Sequence, residues 1–147
     1  MGNTLKKQNK FNEAAASYEE AKKLKPSSLE PKKNLALLYE KNEKWEQARN
    51  EWVSLIRLKP SNLDYRLAYA ENLEKSGLFR AAQKQYQSIL KHKTTQPQAM
   101  ERLGFLYYRE LKEPQEALQT FLHLLKNHPS HPRKQEIRKI IEYLKQG

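Results

Sequence analysis

Residues 29–60 read LEPKKNLALLYEKNEKWEQARNEWVSLIRLKP, and the spacing of residue types in this stretch recurs along the chain. Small and aromatic residues repeat at intervals of 34 positions. The repeating sets are Ala14, Ala48 and Ala82; Phe11, Trp45 and Phe79; and Tyr18, Trp52 and Tyr86. Pro26 and Pro60 are separated by the same interval, with Thr94 at the next such position. A fixed period of this length predicts stacked supersecondary units rather than one closed globule.

The pattern resembles the tetratricopeptide repeat, a helix–turn–helix of this period with small, aromatic and proline positions in a set order. The resemblance implies an all-α, right-handed α-solenoid of about four stacked units with a C-terminal capping helix. The corresponding boundaries are residues 1–28, 29–62, 63–96 and 97–130 for the units, and 131–147 for the cap. The first unit is incomplete, beginning near the seventh position of the repeat.

The eighth position of each unit holds a small residue, namely Gly2, Ala36, Ala70 or Gly104. A small side chain is needed there because the two helices of a pair cross with their backbones close together. The aromatic residues of the facing helix then fill the space beside each crossing. This arrangement predicts stacking, because a single pair cannot bury its apolar stripe alone.

Two features depart from the family pattern. The fourth position, where the family favours a bulky residue, holds the cations Lys32 in the second unit and Arg66 in the third. The fourth unit contains one extra residue, because Pro129 lies 35 positions after Thr94. We expect the extra residue in the connection between the helices, near Glu113 and Pro114.

The tail predicts an amphipathic helix, because Ile137, Ile140, Ile141 and Leu144 follow the spacing of one helical face. Pro132 suits its first turn. We expect this helix to cover the last pair, since solenoids need polar caps. The basic residues expected to face water are Arg133, Lys134, Arg138, Lys139 and Lys145. A docking or dimerisation helix is the alternative.

In this family the first helices of the pairs line a concave groove, which implies a set of candidate partner-binding residues. They are Asn34, Leu37, Lys41, Leu67, Glu71, Lys75, Arg102, Phe105, Tyr108 and Arg109. Phe105 and Tyr108 form an aromatic pair suited to anchoring a peptide. The alternative for Phe105 is packing beneath the inserted loop or the capping helix.

Some family members hold chaperone C-terminal carboxylates with a clamp of lysine, asparagine and arginine. Asn3 and Asn34 match two clamp positions, but Asp64 and Ala68 replace the required cations. A carboxylate facing Asp64 would be repelled, so the sequence argues against this partner.

Basic residues exceed acidic ones by 28 to 17, for a net charge of +11. A cation recurs at the thirteenth position, as Lys7, Lys41, Lys75 and Arg109. It would form a ladder for an acidic partner, or simply complement the dipole at the end of each first helix. The excess charge is spread along the chain, so nucleic acid or an anionic surface is an alternative partner rather than the favoured one.

No cysteine is present, and no catalytic, phosphate-binding or nucleotide-binding motif occurs. His128 and His131 lie three apart in a proline-rich turn without a third ligand nearby, so we predict no metal site and no cofactor. We therefore expect a non-catalytic protein-interaction scaffold. The alternatives are a basic solenoid that docks on nucleic acid or an anionic surface, and a recruiting or regulatory part of a larger enzyme.

The chain contains no apolar run long enough to cross a membrane and no signal-peptide pattern. Because the repeat starts within its first helix, we expect a piece of a longer protein, the alternative being a natural start with a frayed helix. A cytoplasmic location is favoured, with a periplasmic or membrane-anchored parent chain left open. We expect a monomer or a weak dimer that binds a protein or peptide partner.

Overall fold

The computed structural model describes residues 1–147, which form helices joined by short connections and contain no strand. The α-helices are α1 (Gly2–Leu24), α2 (Leu29–Lys41), α3 (Trp45–Leu58), α4 (Leu63–Lys75), α5 (Phe79–His92), α6 (Pro97–Phe105), α7 (Pro114–Asn127) and α8 (Lys134–Gln146). A π-helical segment, Leu106–Leu111, continues α6. The prediction of an all-α fold built from helix–turn–helix pairs is confirmed.

The ends of the first helices are set by local chemistry that repeats with the sequence. Asn62 and Gln96, one period apart, cap α4 and α6 by accepting hydrogen bonds from the backbone N–H groups of Tyr65 and Ala99. Each turn inside a pair contains one residue with left-handed backbone, at Glu43, Gly77 and Lys112 (φ 55°, 80° and 56°). Such a residue stops the helix and reverses the chain.

The interior contains the small and aromatic positions that the period indicates. Ala36 and Ala70 are completely buried, and Gly104 packs against the ring of Phe121. In α3, Trp52 and Leu55 join Ala36 in one hydrophobic cluster. The predicted close crossings at Ala36 and Gly104 are therefore confirmed.

The first repeat differs from the expectation, because α1 is one continuous helix. The predicted end of a first helix near Lys7 is absent, and a β-carbon added at Gly2 would have nothing within 4 Å. The predicted close packing at Gly2 is therefore wrong. Tyr18 is only half-buried, whereas its counterpart Tyr86 is fully buried. The physical reason is that α1 continues without a turn, so these residues have no second helix of their own pair packed against them.

The extra residue of the fourth repeat lies in the helix and not in the connection where we expected it. The π-helical segment Leu106–Leu111 has a wider turn, which accommodates one additional residue without breaking the backbone hydrogen bonding. The N–H of Glu113 then bonds the carbonyl of Tyr107 at 2.9 Å. Only Lys112 and Glu113 remain between the π-helical segment and α7.

The predicted terminal helix is present as α8 and packs against α7 through Ile137, Ile141 and Leu144. Two details of the prediction are wrong. Pro132 lies in a turn before the helix rather than in its first turn, and Arg133 is half-buried by contacts described below. Arg138, Lys139 and Lys145 are exposed as expected, while Lys134 is half-exposed.

The chain divides into two compact units, which we call the N-terminal unit (Met1–Ser76) and the C-terminal unit (Gly77–Gly147). Helices α1–α4 belong to the first and α5–α8 to the second. The division falls inside the third sequence repeat, at the turn that contains Gly77. No helix combines the length and apolar character required to span a membrane.

Candidate functional site

In the N-terminal unit, α2 presents the predicted binding residues Asn34, Leu37 and Lys41 on one helical face. Leu37 is 47% exposed, although the adjacent Leu35 and Ala36 are completely buried. Lys41 is exposed at the last turn, where its charge also complements the helix dipole. This face is therefore accessible and has an apolar centre with polar neighbours.

The predicted residues on α4 do not all reach the surface. Leu67 is buried, so its side chain packs in the interior and cannot contact a partner in this structure. Glu71 is half-buried, and Lys75 is exposed at the end of the helix. The helix-end position of Lys41 and Lys75 agrees with the dipole interpretation of the recurring cation.

In the C-terminal unit, Phe105 lies in the packed interior and not at the surface. Its ring meets the Phe121 ring edge-on, with centroids 5.1 Å apart, and the residue is only 5% exposed. The guanidinium carbons of Arg109 and Arg133 lie 4.4 and 4.0 Å from its centroid. The geometry thus supports the packing alternative for Phe105, with two cations covering the ring.

The other predicted residues of this unit lie around the π-helical segment. Arg102 and Tyr108 are half-exposed, and Arg109 is exposed. Tyr108 and Arg109 border a cavity of about 430 Å³ that α7 and α8 complete. The cavity is also lined by Lys112, Pro114, Tyr143 and Leu144. Of the aromatic pair inferred from the sequence, Phe105 therefore lies in the interior and Tyr108 lies beside a surface cavity.

An ion-pair cluster that the sequence did not reveal joins α6 to the start of α8. Arg133 bonds Glu101 at 2.6 Å and both oxygens of Glu136 at 2.9 Å. The hydrogen bond to Glu136 is the largest cause that raises the pKa of Arg133, and the hydrogen bond to Glu101 acts in the same direction. Together they outweigh desolvation, which lowers this pKa. The hydrogen bond from Arg133 correspondingly lowers the pKa of Glu136.

The two histidines of the proline-rich turn make structural contacts. The Nε2 atom of His131 lies 3.1 Å from Glu101, and its Nδ1 accepts a hydrogen bond from the backbone of Arg133. His128 contacts the carbonyl of Thr95 at 2.6 Å. Both side chains therefore help to fix the turn before α8.

The unexpected cations at the fourth position have a common role. The ammonium group of Lys32 donates to the carbonyl of Pro26, and Arg66 donates to that of Pro60 at 2.8 Å. Each cation thus satisfies a carbonyl six positions earlier, where the preceding helix has ended. Because both proline–cation pairs have the same spacing in the sequence, this contact could have been predicted from it.

A buried polar network in the N-terminal unit was also missed. Glu40 accepts hydrogen bonds from the indole of Trp52 at 2.9 Å and from Asn72 at 3.2 Å. Asn72 is completely buried and also donates to the carbonyl of Trp45. Because Glu40 belongs to α2 and Trp45 to α3, the network fixes α4 against both helices.

Comparison with known proteins agrees with this architecture. The tetratricopeptide repeat family matches residues 1–62 and, separately, residues 98–131. Together with the helix pairs and their buried crossings, these matches show that the chain belongs to the tetratricopeptide repeat family. No curated protein matches the chain.

Solved structures with the same fold include three that cover most of the chain. MamA is 16% identical with a TM-score of 0.72, and the alignment covers 99% of this chain and 93% of that one. YrrB, a TPR protein with an unusual peptide-binding site, is 20% identical with a TM-score of 0.67, covering 97% and 78%. The TPR2B domain of yeast Sti1, in complex with pHsp70, is 17% identical with a TM-score of 0.68, covering 80% and 96%. At these low sequence identities, the structural similarity shows the fold alone.

Proposed function

We propose that this protein is a non-catalytic interaction scaffold that binds a peptide or helix of a partner protein along its first helices. The observation that carries the proposal is the exposed face of α2, where Leu37 lies between Asn34 and Lys41. An apolar side chain within a polar rim is the usual anatomy of a binding face. YrrB has a peptide-binding site, described as unusual, and the Sti1 domain forms a complex with pHsp70, which supports partner binding by a protein of this fold.

The proposed contact residues are those predicted positions that the fold leaves accessible. In the N-terminal unit they are Asn34, Leu37, Lys41, Glu71 and Lys75; in the C-terminal unit they are Arg102, Tyr108 and Arg109. Leu67 and Phe105 support these faces from the interior.

Affinity capture from host lysate, with the intact chain as bait, tests the proposal. The lysate is treated with nuclease, and the bait is washed at about 0.5 M salt to screen exposed charge pairs. Leu37→Asp is compared with Leu58→Asp, a matched control because Leu58 is 39% exposed but lies on the second helix α3. We expect proteins that are retained by the unchanged chain and the control but lost with Leu37→Asp. Circular dichroism verifies that both variants remain helical.

Equal retention by the two variants would exclude the α2 face as the contact surface. Recovery of only nuclease-sensitive or salt-sensitive material would instead favour a basic surface for nucleic acid.

A further inference from the structure

A second surface of the N-terminal unit, between α1 and α2, forms a cavity of about 390 Å³ that we call the Phe11 pocket. It is lined by Lys7, Lys10, Phe11, Leu38, Lys41 and Asn42. Only Lys41 is shared with the proposed contact face. The volume lies at the lower end of the range for small-ligand pockets, enough for one large side chain and neighbouring polar groups.

The floor of the pocket is apolar and held in place by its neighbours. Phe11 and Leu38 are each half-buried. The Phe11 ring packs against Tyr39, with centroids 6.1 Å apart and a tilt of 55°. The ammonium group of Lys44 lies over the Phe11 ring, 5.5 Å from its centroid. The floor thus offers apolar contact to an incoming side chain, while one ring face is already engaged by a cation.

The rim carries positive charge without compensation. Lys7, Lys10 and Lys41 make no ion pair within 4 Å, and no acidic residue lines the pocket. On the same helix, by contrast, Lys22 bonds both Glu19 and Glu51. Neighbouring unpaired lysines repel one another, so an anionic ligand would remove an unfavourable interaction as well as add favourable ones.

We propose that the Phe11 pocket binds an acidic peptide segment that carries one large apolar side chain. The apolar side chain contacts Phe11 and Leu38, and carboxylates on either side of it meet the lysines of the rim. This inference rests on the proposed scaffold function and names the chemistry of the partner at one site. It differs from binding to the exposed α2 face because Lys7, Lys10 and Phe11 all belong to α1.

A peptide fits the pocket better than a nucleic acid does. Single-stranded nucleic acids use free aromatic faces on which bases stack, but Lys44 already lies over the ring of Phe11.

Fluorescence anisotropy with defined peptides tests the proposal on the intact chain. The probe is a fluorescein-labelled peptide in which a leucine is flanked by glutamates, and the reference probe replaces that leucine with glycine. We compare Lys7→Glu/Lys10→Glu with Lys23→Glu/Lys33→Glu, which makes the same change in net charge at exposed lysines outside the pocket. Both doubles retain the proposed contact residues of α2.

We expect the Lys7→Glu/Lys10→Glu change to weaken binding of the leucine probe by at least about tenfold, because two attractions become repulsions. The Lys23→Glu/Lys33→Glu control should change it less than about threefold, as distant exposed charges are screened. The glycine probe should bind more weakly to the unchanged protein. The comparison of the two probes uses only the unchanged protein, so it does not depend on whether a variant folds.

The proposal is overturned if the two double variants lose affinity equally, or if the leucine and glycine probes bind alike. Stronger binding of a labelled single-stranded oligonucleotide, lost with Lys7→Glu/Lys10→Glu, would also overturn it in favour of nucleic acid. If a captured partner depends on Leu37 but the leucine probe does not bind, the scaffold function stands and the pocket assignment fails. If the probe binds as expected but capture is independent of Leu37, the α2 face fails and the pocket assignment stands.

Discussion

Gly104 illustrates how a single atom decides whether two helices can cross. A β-carbon at this position would lie 2.6 Å from the Cε1 atom of Phe121, closer than carbon atoms approach without displacement. Phe121 is itself fully buried, so the ring has little room to move. The absence of a side chain at residue 104 is therefore required by its neighbour on α7.

We expect Gly104→Ala to lower the free energy of unfolding by about 1–3 kcal/mol, the usual cost of forcing a methyl group into a packed interior. Gly2→Ala is the control, because nothing lies within 4 Å of its β-carbon position. It should change stability by less than about 1 kcal/mol. Urea denaturation measures both. A destabilisation at residue 2 equal to that at residue 104 would contradict the close-packing argument.

Glu136 is the residue whose ionisation is coupled to the start of α8. Arg133 lowers the pKa of this carboxyl in the folded protein. A lowered folded-state pKa contributes stability above the unfolded pKa, and this contribution is lost as the pH falls through the folded value. The stability contributed by Glu136 is therefore lost at acidic pH, below 4.5, which is the ordinary pKa of a glutamate side chain.

We expect Glu136→Gln to reduce stability at about pH 7 and to flatten the decline of stability between about pH 5 and pH 3. Glu142→Gln on the same helix is the control, because Glu142 is exposed and forms no ion pair. Chemical denaturation across this pH range gives the measurement. Parallel pH profiles for the unchanged protein and Glu136→Gln would refute the coupling to Arg133.

At the scale of elements, α8 is stabilised through one apolar face and one polar contact at its start. Ile137 is completely buried against the preceding helix, whereas Tyr143 is 66% exposed. The polar contact between Glu101 and Arg133, the residue just before α8, joins the start of this helix to α6. The helix thus covers part of the interior of the C-terminal unit.

Truncation of Ile137 to alanine should cost about 2–5 kcal/mol, as expected for a large apolar side chain removed from a packed interior. Tyr143→Ala should change the free energy of unfolding by no more than about 0.5 kcal/mol. Circular dichroism during thermal and urea unfolding provides both values. Equal, small effects would mean that α8 does not cover the interior of this unit.

The π-helical segment shows how an element absorbs a change in sequence length. In the second and third repeats the first helix has 13 residues, and a three-residue turn connects it to the next helix. In the fourth repeat the wider turn at Leu106–Leu111 takes the additional residue. The left-handed residue Lys112 still ends the helix, so the reversal of the chain is preserved. Absorbing the residue in the helix keeps the backbone paired.

At the scale of the whole molecule, the dominant electrostatic feature is a net charge of +11. The exposed lysines repel one another, and this repulsion destabilises a compact state. A few ion pairs, such as those of Arg133, oppose the repulsion locally. Because basic residues outnumber acidic ones by 28 to 17, repulsion should dominate the response to salt.

Raising sodium chloride from about 20 to about 300 mM should therefore raise the Tm by a few °C, since screening shortens the reach of exposed charges. Differential scanning calorimetry with sucrose at matched osmolarity separates screening from excluded-solute effects. A Tm that falls with salt would show that ion pairs, and not repulsion, control the stability of the protein.

The exposure of the proposed contact positions follows from the sequence where helical position alone determines it, but not where a neighbouring element covers the side chain. Leu37 and Lys41 are exposed because they lie opposite the buried face of their own helix. Phe105 belongs to a comparable position, yet its ring is covered by Arg109 and Arg133. Arg133 lies beyond α7, just before the terminal helix, and no local pattern indicates which ring it covers.

By itself the sequence determined the family, the helix pairs and the burial of most of the recurring small and aromatic residues from the second repeat onward, because a period of 34 places the same residue types at the same helical faces. The tertiary structure alone decided the continuity of α1, the placement of the extra residue in a π-helical turn and the burial of Phe105. It also brought Lys7 and Lys10 beside Leu38 and Lys41 in one pocket. These outcomes depend on which helices lie against each other, and packing between distant segments is not encoded in the spacing of residues within one helix.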